Sequence, residues 1–162
     1  MSSAETSSET SSQTNTELKL TPVPFEGSCP ILRVRDVSAG IDYYLRRLGF
    51  VLDWQAPYFA SVSRGKCHIF LSQGDQGQPG GWVWIGVEDA DPLSQEYRRS
   101  GAKIRHAPTN YPWAYEMQVE DLDGNVLRLG SDSKENEPAG EWLDMQGKRW
   151  VPIPDGGWKL AE

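Results

Sequence analysis

Ile31-Leu32-Arg33-Val34-Arg35-Asp36-Val37-Ser38-Ala39-Gly40-Ile41 and, about 52 residues later, Trp82-Val83-Trp84-Ile85-Gly86-Val87-Glu88-Asp89-Ala90-Asp91-Pro92-Leu93 are one device written twice. Each is a short apolar strand running into acidic or hydroxyl residues that can cap a helix. In the first copy Asp36 or Ser38 is the candidate cap, and Ile41, Tyr44, Leu45 and Leu48 fall on one helical face before Gly49 ends it. In the second copy Asp91 and Pro92 read as N-cap and first-turn proline, Leu93 and Tyr97 face inward, and Gly101 stops the helix. Three strands follow each helix. They are read at Val51 to Trp54, Phe59 to Ser63 and Cys67 to Leu71, then at Lys103 to His106, Tyr115 to Val119 and Val126 to Leu129. The turns are Arg64-Gly65 and Asp123-Gly124-Asn125. The expected fold is therefore α+β: two βαβββ repeats, at about residues 29–72 and 82–130, whose helices cover one face of curled mixed sheets while the other faces surround a cleft.

Outward from this core the chain changes character. Residues 1–27 are read as a disordered tail and arm, because the first twenty or so are Ser-, Thr- and Glu-rich with almost nothing to bury. Residues 131–162 form a Trp-rich extension in which Trp142, Trp150 and Trp158 recur among prolines and glycines. It is expected to pack on an exposed apolar face or to close over the cleft. The formal charge of −7 lies mainly in these ends: residues 1–28 and 131–162 each carry a net −3, and residues 29–130 only −1. A nearly neutral centre without a basic stripe argues against nucleic acid as partner. No stretch is apolar for long enough to cross a membrane, no secretory signal is read in Met1 to Thr16, and Cys29 and Cys67 are too few for a disulfide framework. A cytoplasmic protein is expected.

The candidate chemistry is aromatic rather than acid–base. Seven tryptophans are present, and Trp82 and Trp84 alternate with Val83 and Ile85, which gives that strand one aromatic and one aliphatic face. Trp54, Phe59 and Trp113 lie at strand ends and in loops beside prolines, placed to stack on a flat ligand. Glu116 is the one carboxylate in an inward strand near aromatic neighbours, and it is the candidate base should the protein be an enzyme. His68 and His106 are read as ordinary strand residues, since His68 and its neighbour Cys67 must point to opposite faces and cannot share a metal ion. No nucleophile elbow, zinc-protease motif or phosphate loop is present, so no cofactor or metal is expected. Glu88, Asp89, Glu120 and Asp121 are the local acids available to a cationic ligand.

The doubled pattern, with Arg33-Val34-Arg35-Asp36, Leu48-Gly49-Phe50 and Glu120-Asp121-Leu122-Asp123-Gly124-Asn125, resembles the vicinal-oxygen-chelate superfamily of glyoxalases, extradiol dioxygenases and bleomycin resistance proteins. Ser63-Arg64-Gly65, His68-Ile69, Trp82-Val83-Trp84-Ile85 and Pro112-Trp113 through Asn125 resemble the bleomycin-binding members in particular. That resemblance implies a non-catalytic homodimer, with exchanged N-terminal arms at Pro22 to Pro30, that sequesters a flat cationic antibiotic of the bleomycin class and so confers resistance. The ligand-binding residues it implies, with the strand reading, are Trp54, Phe59, Trp82, Trp84, Trp113 and Glu116. The superfamily's four metal-ligand positions fall at about Cys29, Phe70, Trp82 and Arg128, which is not a usable set. The alternative is a glyoxalase- or dioxygenase-like enzyme acting on a small oxygenated substrate through Glu116, His68 or a weakly held metal.

Overall fold

Asp36 and Asp89, one at the start of each repeat, hold extended backbone and cap the two helices: Ala39 N–H donates to Asp36 at 2.8 Å and Asp91 N–H to Asp89 at 2.9 Å. The computed structural model describes residues 22–162, so the tail expected over the first twenty residues lies outside the described part. In chain order the first unit is β1 (Ile31–Arg33), α1 (Val37–Arg46), β2 (Val51–Ala56), β3 (Phe59–Arg64) and β4 (Cys67–Ser72). The second is β5 (Trp82–Gly86), α2 (Ala90–Ser100), β6 (Lys103–Asn110), β7 (Tyr115–Glu120) and β8 (Val126–Ser131). The second cap is a correction to the sequence reading: Asp89 caps the helix, and Asp91 and Pro92 already lie in its first turn. Gly101 then ends α2 in the left-handed conformation, at φ 75°, which only glycine adopts without strain.

The two sheets repeat one topology, β1-β4-β3-β2 and β5-β8-β7-β6, with a parallel pair at one side and antiparallel hairpins at the other. Alternation decides which face is which. Ala60, Val62, Ile69 and Leu71 of the first sheet join Met117, Val119, Leu127 and Leu129 of the second in one core with Val37, Ile41 and Tyr44 of α1 and Leu93 and Tyr97 of α2. Val83 and Ile85 pack against this core, as the strand reading requires. The alternate residues, including nearly all the aromatic candidates, therefore lie on the outer faces of the sheets, away from the shared core.

The extension builds a third sheet, order β11-β10-β9, from β9 (Trp142–Leu143), β10 (Arg149–Pro152) and β11 (Trp158–Leu160). It packs on the outer face of the second sheet. The face that it covers is polar as well as aromatic, contrary to the apolar surface that the composition suggested: Arg105 donates to the carbonyls of Leu143 and Asp144, and Gln118 donates to Leu143 at 3.2 Å. Asn110 ties the base of the extension with three bonds, two from its amide to the Lys134 and Glu137 carbonyls and one accepted from Lys134 N–H.

Candidate functional site

The outer face of the second sheet carries Trp82 and Trp84 from β5, Arg128 and Gly130 from β8, and Glu116 and Gln118 from β7. Glu116 is 1% exposed and accepts four hydrogen bonds. Two come from Arg128, at 2.9 and 3.1 Å, and two from the indole N–H groups of Trp84 and Trp113, each at 3.3 Å. A carboxylate held this way has its charge balanced by the guanidinium and its oxygens occupied by donors, and it orients two indole rings.

Both rings are presented to solvent. Trp84 lies flat on β8, where a Cβ at Gly130 would stand 2.9 Å from it, and the residue is 51% exposed. Glycine is needed at 130 because any side chain would lift the ring. Trp113 stacks on Tyr111 with ring centres 4.9 Å apart and planes 3° from parallel, and is 48% exposed. Trp142 from β9 meets the edges of Tyr111 and Trp113, and its ring lies 4.8 Å from the Arg128 guanidinium. Trp82, by contrast, is only partly exposed, with Arg105 over it at 5.1 Å and Trp142 beside it.

The first sheet has its own aromatic group. Trp54, Phe59 and Phe70 contact one another with ring centres 5.4 to 5.8 Å apart, and Trp54 and Phe70 border an open cavity of about 580 Å³ that also touches Glu26, Cys29, Asp53, Ser61 and His68. A β-bulge between Leu52 and Trp54 leaves Asp53 out of the pairing, so that it and Trp54 both act on the outer face. Asp53 accepts from Ser61 and Ser63 at 2.7 and 2.6 Å and faces His68 Nδ1 at 3.3 Å, and the hydroxyl of Ser63 above all holds its carboxyl below the usual range.

The structure thus divides the six predicted residues: Trp54 and Phe59 on one sheet, Trp82, Trp84, Trp113 and Glu116 on the other. Sequence reasoning missed Asp53 as a site acid, Arg128 as the partner of Glu116, and Tyr111 and Trp142 as supports. Glu88 and Asp89 instead line a larger cleft of about 1130 Å³ between the two units, away from both aromatic groups. Glu120 pairs with Lys103 and Arg105, and Asp121 is buried in the β7–β8 turn.

Residues 27–129 match the profile of the Glyoxalase/Bleomycin resistance protein/Dioxygenase superfamily. The chain belongs to that superfamily. No curated protein sequence matches it. Among solved structures, the bleomycin-binding protein from bleomycin-producing Streptomyces verticillus, complexed with copper(II)-bleomycin, is 26% identical with a TM-score of 0.59, covering 70% of this chain and all of that one. A bleomycin resistance determinant encoded on the transposon Tn5 is 21% identical with a TM-score of 0.59, covering 67% of this chain and 98% of its own. An antibiotic-binding protein from Streptomyces sp. CB03234 is also 21% identical, with a TM-score of 0.61, covering 70% of this chain and all of its own. These last two likenesses establish the fold.

By the resemblance, a metal of the superfamily would be expected at about Cys29, Phe70, Trp82 and Arg128. The residues present do not fit an ion. Arg128 brings a positive charge to the spot, the nearest carboxylate is fully engaged by it, and Trp82 lies under Arg105. Among the described residues no three His, Cys, Asp or Glu side chains come together.

Proposed function

We propose that this superfamily member is a non-catalytic binding protein that sequesters a flat cationic antibiotic of the bleomycin class and so confers resistance. The observation that carries the reading is the Glu116 arrangement, in which a buried, charge-balanced carboxylate spends its hydrogen bonds holding two half-exposed indoles in place. Rigid aromatic faces bind flat rings without paying to order them. Two aromatic groups on separate outer faces suit a homodimer in which the first sheet of one copy faces the second sheet of the other. Edge strand β2, exposed along its whole length with Val51, Leu52 and Trp54, supports such an association. Asp53, beside Trp54 and with no lysine or arginine lining its cavity, takes the role expected of the other acids in meeting a positive charge. The residues proposed to touch ligand are Trp54, Phe59, Trp84 and Trp113, with Glu116 and the partly shielded Trp82 beside them. The protein would act in the cytoplasm, between drug and DNA.

The test is calorimetric titration with copper(II)-bleomycin, alongside sedimentation of the free protein. A saturable heat and a dimer at micromolar concentration are expected; no heat at tens of micromolar, about 10 µM or more, would reject the drug. The enzyme reading has one observation in its favour, the half-exposed His68 imidazole oriented by Asp53. Turnover of a hemithioacetal or a catechol that His68→Gln abolishes would restore it.

A further inference from the structure

The extension lies beyond the family match, which ends at residue 129, yet it is fastened to the very face on which the ligand rings of the proposed function would lie. Its attachment is that of a permanent part. Tyr111, 2% exposed, donates to the Glu141 carbonyl at 2.6 Å, and Asn110 makes its three bonds to Lys134 and Glu137. The polar donors of the floor, Arg105 and Gln118, are satisfied by the carbonyls of Leu143 in β9 and of Asp144 just after it, so undocking this segment would leave them without these partners.

β9 divides the face unequally. Trp82 and Trp84 are alternate residues of one strand and point the same way, but the first is partly shielded by Arg105 and Trp142 and the second is half exposed. Beside Trp82, with Arg105 over its ring, stands the Trp142 indole, which reaches Trp82 on one side, the Tyr111–Trp113 stack on another, and Arg128 beneath. Trp158 leans on the same stack from β11, with ring centres 6.0 and 5.8 Å away, and fixes that side. The surface left open consists of the free faces of Trp84 and Trp113, two electron-rich rings over a neutralised carboxylate. Such a surface fits an electron-poor, flat heteroaromatic segment and nothing bulky on its β9 side.

We propose that Trp142 is a specificity-determining residue: with β9 it walls off the Trp82 half of the second sheet and confines a ligand to one flat segment on Trp84 and Trp113. This deepens the antibiotic-binding reading and rests on it for the identity of the drug, while the wall itself can be read without any ligand.

The experiment compares wild type, Trp142→Ala and Trp142→Phe with two probes, whole copper(II)-bleomycin and its isolated bithiazole-carboxamide tail. Trp142→Ala should improve whole-drug affinity relative to the tail by about tenfold, the scale of one stacked ring's worth of contact, and Trp142→Phe should restore the wild-type ratio. An unchanged ratio overturns the proposal. Hydroxyl-radical footprinting of the ligand-free proteins supplies the second measurement, with circular dichroism to verify folding. Oxidation at Trp82 should rise about twofold in Trp142→Ala and stay level at Trp84, since only Trp82 loses a neighbouring ring while Arg105 stays over it. If neither probe binds but Trp82 becomes reactive, the drug assignment fails and the wall stands; if Trp82 does not respond, the wall fails whatever binds.

Discussion

Glu116→Gln separates a residue that holds rings from one that moves protons. The carboxylate is 1% exposed and the Arg128 side chain 25% exposed, so the pair is buried on one side and partly screened on the other. Breaking a fully buried pair costs about 3–5 kcal/mol, because the remaining charge is left without a partner. Partial exposure of Arg128, and the one acceptor oxygen that glutamine retains, bring the expected loss down to about 2–3 kcal/mol. In a chain of this length that lowers the melting temperature by about 4–12 °C. Urea unfolding followed by tryptophan emission reads both the stability and the loosening of Trp84 and Trp113, whose shared acceptor loses its charge. Adding Arg128→Met should recover about 2 kcal/mol, since removing both charges is far milder than removing one. A Glu116→Gln protein within about 0.5 kcal/mol of wild type, or a double variant whose losses simply add, would refute the account of Glu116 as a structural anchor.

Trp84→Ala and Trp54→Ala should each weaken drug binding by about 1–3 kcal/mol in calorimetry, the usual worth of a stacked ring, and equal affinities for both variants and wild type would remove the rings from the site. Glu96 gives a pH prediction. The side-chain hydrogen bonds from Arg64 hold its carboxyl below the ordinary value, so its stabilising effect is full above the unfolded-state pKa and is lost as the pH falls through the lowered folded-state value. Glu96→Gln should therefore flatten the acid limb of a stability–pH curve, and an unaltered limb counts against the pairing.

The repeat was legible because its signals are local. Caps, helix-ending glycines and the Trp–Val–Trp–Ile alternation act over a few residues, and each appears twice. The cap at Asp89 rather than Asp91 was a choice between two neighbouring acids that only backbone conformation resolves. Period-two reasoning put the aromatic side of β5 on the correct face, but it fails where a strand carries an extra residue, which is why Asp53 went unnoticed beside Trp54. The Glu116–Arg128 pair left a readable trace: Gln118 sits opposite Arg128 in the β7–β8 register, so Glu116 is its diagonal neighbour on the same face. The roles of Asn110, Tyr111 and Trp142 had no such trace, since they depend on a long-range docking of β9 that no periodicity encodes.

The β7–β8 turn, Asp121 to Asn125, reaches across to the other repeat: Asp121 accepts from the Tyr44 hydroxyl, Asp123 from Arg35, and the Asn125 amide donates to the Arg33 carbonyl. From the other side the Tyr97 hydroxyl of α2 donates to the Leu48 carbonyl at the end of the first helix. A molecule with the outline of two duplicated halves is by these ties a single cooperative fold. Severed within the loop at residues 74–80, neither fragment keeps the partners for its buried hydroxyls and carboxylates, and each loses half the walls of the common core. Two separately synthesised pieces should stay unstructured alone and recover native spectra on mixing, a split-protein reassembly whose yield reports on the seam between the two repeats.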